Sequence, residues 1–249
     1  MKDIAMNPSA ATGSAVPEPT VMPIDREAWG KELHLSNFVN SYYQYRDVTK
    51  WVGANPSVLI IGPGQGLDTE VLKWRGCRVT TFDIDETFRP DVIGSCHEMS
   101  MFGNAEFDVV IASHVLEHLP LPYLDLALAE IARVGRHAIF YLPVAGRHTL
   151  MRFVPGFKGI DWALVFDSCK FWERPDGVSA KYCAGQHYWE IGYRGFRLND
   201  LRERFSPRFD LLDSYRNKDW LPSHNFVLRS RLNQAQVEPG LPPMRSDAR

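Results

Sequence analysis

The chain has 249 residues, 45% hydrophobic and 23% charged, values that exclude a fibrous or low-complexity protein. Its 28 Lys and Arg against 30 Asp and Glu leave a net charge of -2, without the basic excess of a general nucleic-acid binder. No apolar run reaches the about 18 residues of a membrane span, no signal-peptide pattern opens the chain, and Cys77, Cys96, Cys169 and Cys183 form no C-x-x-C pair. The expectation is a cytoplasmic protein with reduced thiols and no nucleic-acid or membrane partner.

Residues 1–24, rich in Ala, Pro, Ser and Thr, read as a disordered leader, and 233–249 as a similar tail. One domain is expected over 25–232. Arg26 to Trp51 has helical spacing, with a break near Leu35 and Ser36 or Asn37 as N-cap. Ser57 to Ile61 is an apolar β-branched run, suited to a strand buried on both faces. Leu67 to Arg75 reads as a helix closed by Gly76. Cys77 to Phe82 is a second strand, Pro90 to Ile93 a short third, and Phe107 to Ala112 a buried fourth. Leu121 to Val134 is an amphipathic helix with Leu124, Leu128, Ile131 and Val134 on one stripe. His137 to Leu142 is the next strand. Leu198 to Phe205 reads as a helix, and Phe209 to Tyr215 and Asn225 to Leu232 as strands with no helix between them. This alternation predicts an α/β fold: a doubly wound, mostly parallel, seven-stranded Rossmann-like sheet with an antiparallel C-terminal strand pair.

Gly62-Pro63-Gly64-Gln65-Gly66 follows the first strand directly. In doubly wound folds ligands bind at the carboxyl ends of strands, where glycines let backbone approach them. Asp83 ends the second strand about twenty residues on, where a carboxylate accepts hydrogen bonds from ribose hydroxyls. Asp85 is the second candidate. A dinucleotide site needs G-x-G-x-x-G, so that a helix N-terminus meets the pyrophosphate. Here the third glycine comes one residue early, and Asp68 puts a negative charge in the first helical turn. Both features disfavour a pyrophosphate and suit a cofactor without phosphate.

VLIIGPGQG (58–66), TTFDID (80–85) and FDVVIASHVLEHLP (107–120), in this order and spacing, resemble the class I S-adenosylmethionine-dependent methyltransferases, most closely the type 11 group. The resemblance covers about residues 55 to 145. It implies S-adenosyl-L-methionine as cofactor, with Gly62, Gly64 and Gly66 beside its methionine and ribose. Asp83 would hold the ribose hydroxyls and Ile84 pack on the adenine. Ser113, His114 and Val115 would line the cleft. The family's adenine-contacting aspartate is replaced by Ser95, leaving the Cys96 backbone to meet the adenine.

His114-Val115-Leu116-Glu117-His118 also spells H-x-x-E-H, a zinc-peptidase pattern. Zinc would need both histidines on one helix face. This segment leaves a buried strand and meets Pro120 and Pro122, so a continuing helix is disfavoured and no metal is expected. Instead His118 reads as a polar group in the cleft wall or as a loop histidine. Residues 145–197 read as a substrate-side insertion or lid, dense in aromatics. Within it His187-Tyr188-Trp189-Glu190 is similar to a segment of bacterial methyltransferases associated with surface sugars. His187, Glu190 and His118 are the catalytic candidates, with His187 or Glu190 taking a proton from an acceptor hydroxyl. The expected reaction is methyl transfer to oxygen or nitrogen of a small molecule or sugar. The alternatives are a NAD(P)-dependent oxidoreductase or epimerase, and a non-catalytic cofactor-binding module.

Overall fold

The computed structural model describes residues 34–153, 162–168 and 187–233. The expected leader, the tail from residue 234 and much of the aromatic insertion lie outside these residues. The elements are α1 (Leu35–Trp51), β1 (Ser57–Ile61), α2 (Leu67–Trp74), β2 (Arg78–Asp83), β3 (Val92–Ile93), β4 (Phe107–Ser113), α3 (Leu121–Val134), β5 (Gly135–Pro143), β6 (Arg147–Phe153), β7 (Trp162–Ser168), α4 (Leu198–Phe205), β8 (Phe209–Arg216) and β9 (Ser223–Ser230).

Seven strands form one sheet in the order β3-β2-β1-β4-β5-β9-β8. The first five are parallel, and β9 pairs antiparallel with both β5 and β8. The α/β, mostly parallel, seven-stranded expectation holds, including the antiparallel end. From β1 the chain winds one way to β2 and β3, then returns to place β4 on the other side of β1. That reversal opens a crevice at the carboxyl ends of β1 and β4.

Both faces of the sheet are covered, which is why its central strands read as continuous apolar runs. In β1, Leu59 and Ile61 face a core shared with Leu124, Leu128 and Ile131 of α3 and Phe205 of α4. Val58 and Ile60 face the opposite core, with Tyr43 and Val48 of α1 and Leu72 of α2. These four of the five β1 residues are at most 3% exposed, so each is fully committed to packing. Burying one such side chain contributes about 1.5–3 kcal/mol.

Among the differences from expectation, three bear on how the elements are held. Helix α1 starts at Leu35 with His34 as N-cap, and Asn37 acts from inside the first turn, its side chain accepting the His34 N–H at 2.9 Å. Strand β9 begins and ends two residues earlier, at Ser223 and Ser230, because it pairs with Pro143 back to His137 of β5. The third difference lies in the insertion, where β6 and β7 form a separate antiparallel hairpin that sequence patterning did not reveal. Among the described residues no helix is long and apolar enough to cross a membrane.

Candidate functional site

The chain leaves β1 through a loop with left-handed backbone at Gly62 (φ 67), Gly64 (φ 53) and Gly66 (φ 79). At Gly62 a second constraint acts. A Cβ there would lie 2.5 Å from Val115 Cγ2, so the loops after β1 and β4 touch at this residue. Gly66 is different: a Cβ would meet nothing within 4 Å, leaving open space beside the loop. Gly62→Ala therefore combines left-handed strain of about 1–2 kcal/mol with displacement of the β4 loop. The expected result is a lower melting temperature in a thermal melt.

These glycines line a cavity of about 530 Å³ that also takes in Asp83, Ile84, Asp85, Gly94, Ser95 and Cys96. Asp83, at the end of β2, accepts the Asp85 N–H at 2.9 Å. Asp85 is turned to its own loop, accepting the Thr87 N–H at 3.0 Å and the Thr87 hydroxyl at 2.8 Å. Cys96 is buried, and burial pushes its thiol up to about 12, so the sulfur is inert and only its backbone can serve a ligand. Ser95 spends its hydroxyl on His97 Nδ1 at 2.7 Å. Helix α3 holds the following turn: Glu130 accepts the Met99 N–H, and Arg133 donates to the Met99 and Phe102 carbonyls, all at 2.8 Å.

The far wall comes from the carboxyl end of β4. His114 sits in left-handed backbone (φ 55), its N–H bonded to the Tyr141 carbonyl at 2.8 Å. This sharp exit turns the chain into a one-turn 3-10 helix at Leu116–His118, short of α3. His114 and His118 therefore do not share the face of an α-helix. Ser113, His114, Val115 and His118 line the cavity.

The segment carrying His187 is bolted to this wall by backbone. Tyr188 N–H donates to the Glu117 carbonyl, Ile191 N–H to Pro143 and Ala145 N–H to Ile191, at 2.8–2.9 Å. Trp189 is fully buried and stacks on Phe196 with ring centroids 4.9 Å apart. This pair is core packing, not an exposed aromatic platform. The fixed backbone brings His187 into the cavity wall, with its ring 4.8 Å from that of His118. Its Nδ1 lies 2.7 Å from Glu190 Oε1. Glu190 stands behind His187 and does not line the cavity. The three catalytic candidates are thus brought together, and a fourth residue joins them.

That residue is Glu117, 0% exposed. Its Oε1 is 3.5 Å from His114 Nδ1 and 3.9 Å from His187 Nε2. Burial pushes its carboxyl up, but His114, His118 and His187 outweigh burial and hold it below the usual carboxylate range. Sequence reasoning saw Glu117 only as a letter in the zinc pattern. The signal it offered was a charged residue in an apolar run.

Helix α1 closes the cavity with Asn37, Asn40, Ser41 and Gln44, and Trp220 lines it from the β8–β9 turn. Tyr43 and Arg46 point elsewhere: Tyr43 donates to Asp219 at 2.8 Å, and the Arg46 guanidinium lies 4.6 Å from the Tyr215 ring centroid. Asp68 lines the cavity too, and burial raises its carboxyl to about 6 against the Thr69 N–H and Gln44 bonds that lower it. Among the described residues the lining has Asp68, Asp83 and Asp85 but no Lys or Arg. Such a wall suits a cationic sulfonium and ammonium and rejects a pyrophosphate.

No curated protein matches the chain. Residues 59–138 match the family described as a methyltransferase domain. Among solved structures, a Pyrococcus horikoshii protein superposes with TM-score 0.51 at 14% identity, covering 81% of this chain and 93% of that one. A glycopeptide N-methyltransferase crystallised with S-adenosylhomocysteine gives TM-score 0.51 at 10% identity, covering 77% and 90%. An S-adenosylmethionine-dependent methyltransferase from Clostridium acetobutylicum gives 0.50 at 10%, covering 80% and 93%. Residues 59–138 thus match a methyltransferase domain, and the strand order and left-handed glycine loop belong to a fold shared with solved S-adenosylmethionine-dependent methyltransferases.

Proposed function

We propose that the chain methylates an oxygen or nitrogen of a small molecule or sugar, with His187 taking the acceptor's proton. The observation that carries this is His187 itself: a cavity-wall imidazole with Glu190 on its Nδ1 at 2.7 Å and a buried carboxylate facing its Nε2. A base oriented by a carboxylate on its other nitrogen is the arrangement general-base chemistry requires.

Gly62, Gly64 and Gly66 would border the methionine and ribose, Asp83 the ribose hydroxyls, Ile84 and the Cys96 backbone the adenine, and Ser113 and His114 the cleft floor. Bound there, S-adenosylmethionine supplies a methyl group on a positive sulfur. The residues of the chain hold the acceptor in line with that sulfur, exclude water and receive a proton. The acceptor forms a bond to the methyl carbon as the carbon–sulfur bond breaks, and the acceptor proton passes to His187. Glu190 and Glu117 stabilise the imidazolium that results.

Screening hydroxyl and amine acceptors, sugars included, with radiolabelled cofactor tests the reading. Label transferred to an acceptor oxygen or nitrogen supports it; transfer to carbon or sulfur alone overturns it.

Two binding predictions follow from the acidic wall. Asp83→Ala should weaken S-adenosylhomocysteine at least about tenfold, the loss of two charge-assisted hydrogen bonds, measured by calorimetry. Asp68 should make binding pH-dependent. Because its carboxyl titrates near 6 when folded, it is protonated below that pH and cannot attract the cofactor's ammonium. Affinity should therefore fall as pH drops through about 6, and Asp68→Asn should flatten that dependence. The stability sign is opposite. The raised pKa favours the fold below the unfolded carboxylate range, and this contribution is lost as pH rises through about 6.

A further inference from the structure

We propose that Glu117, His118 and His187 form a binding site for one divalent cation of the zinc class, on the acceptor side of the cleft. One ligand atom from each of these residues lies within 4.8 Å of the others. Ligand atoms around a tetrahedral ion stand about 3.4 Å apart at ordinary zinc bond lengths. The His187 Nε2 to Glu117 Oε1 distance of 3.9 Å is already close to that. Small torsional changes in the three side chains bring them to it.

The second observation is the state of Glu117. Its two carboxylate oxygens are buried, and neither makes a hydrogen bond among the described residues. His114 Nδ1, at 3.5 Å from Oε1, is beyond good hydrogen-bond geometry. Buried carboxylate oxygens without a hydrogen-bonded partner are costly, and a cation bound to them removes that cost. The third is the support behind His187. A histidine bound to metal commonly gives its other ring nitrogen to a carboxylate, which fixes the ring. Glu190 does this to Nδ1 at 2.7 Å and leaves Nε2 turned toward Glu117.

Two imidazoles and one carboxylate select zinc, cobalt or nickel over magnesium or calcium. His118 and His187 line the cavity, so the fourth position of the ion opens into it. This site is not the H-x-x-E-H pair of the sequence. His114 is left out, and the second histidine comes from a segment about seventy residues away in the chain. The inference goes beyond methyl transfer. One consequence does rest on the proposed reaction: an ion on His187 Nε2 occupies the lone pair that would take the acceptor's proton. Zinc bound here would silence the transferase reversibly.

Titration of the metal-free full-length protein with cobalt(II), followed by visible absorption, tests the site. One equivalent should bind with the intense visible bands of low-coordinate cobalt and be displaced by zinc. Prior saturation with S-adenosylhomocysteine should leave the binding intact. Glu117→Gln and His187→Gln should each weaken cobalt binding about 10- to 100-fold or more, while both still bind S-adenosylhomocysteine, which shows that they fold. Absence of a saturable band in the wild type overturns the proposal. An unchanged band in both variants overturns it as well. If cobalt binds as expected but zinc leaves methyl transfer untouched, the metal site stands and the base role of His187 falls.

Discussion

Replacing His187 by alanine lowers turnover by roughly 10²- to 10⁴-fold, the range for loss of a positioned general base. S-adenosylhomocysteine affinity should stay within about twofold, since the ring stands beside His118 and not on the glycine loop. Glu190→Gln gives a smaller loss. The amide still meets Nδ1 but cannot stabilise the imidazolium formed when His187 takes the proton. The two effects should not add. Both residues act through one hydrogen bond of 2.7 Å, so the double variant is expected to match His187→Ala. Single-turnover methyl transfer measures chemistry directly. Full activity in both His187→Ala and Glu190→Ala would sink the assignment.

Asp47→Ala is the variant expected to cost most stability, about 3–5 kcal/mol. Asp47 is 0% exposed on α1. It accepts the Tyr141 hydroxyl from β5 at 2.9 Å and the Tyr215 hydroxyl from β8. Arg46 bonds its other oxygen at 2.8 Å. Removing the carboxylate strands two phenols, one fully buried, and leaves an arginine uncompensated. A loss of that size lowers the melting temperature of a chain this long by roughly 10 °C. Asp47→Asn keeps an acceptor and should lose less. Because the same helix presents Asn37, Asn40 and Gln44 to the cavity, Asp47→Ala should also weaken cofactor binding before global unfolding. A melting curve that overlays the wild type would show that α1 is held by its apolar face alone.

The strands of the sheet centre were legible because burial on both faces leaves a run such as Ser57–Ile61 with no polar position. Helix α3 was legible to the residue because its apolar stripe from Leu124 to Val134 is unbroken and Pro122 sits in its first turn. Strand β9 was placed two residues late, since its limits are set by the ladder with β5 and not by its own composition. The hairpin of β6 and β7 left no usable period. On the cofactor side, loop and carboxylate were readable because glycine and aspartate are required there by backbone geometry and hydrogen-bond capacity. Glu117 was not. Its importance comes from zero exposure and three surrounding histidines, one of them from the segment after the insertion. Contacts between residues that far apart in the chain have no spacing to read.

The position of β9 has a consequence for synthesis. It is the last of the described strands to be made, yet it lies inside the sheet, between β5 and β8. Until residues 223–230 leave the ribosome, the edge of β5 from His137 to Pro143 has no partner. That edge carries Ile139, Phe140 and Leu142, all destined for complete burial. An open apolar edge is a template for pairing with another chain. Nascent protein should therefore be most prone to aggregate while the cofactor crevice is already complete. A chain stopped at residue 222 would keep every glycine, aspartate and histidine of the site and still be expected to precipitate.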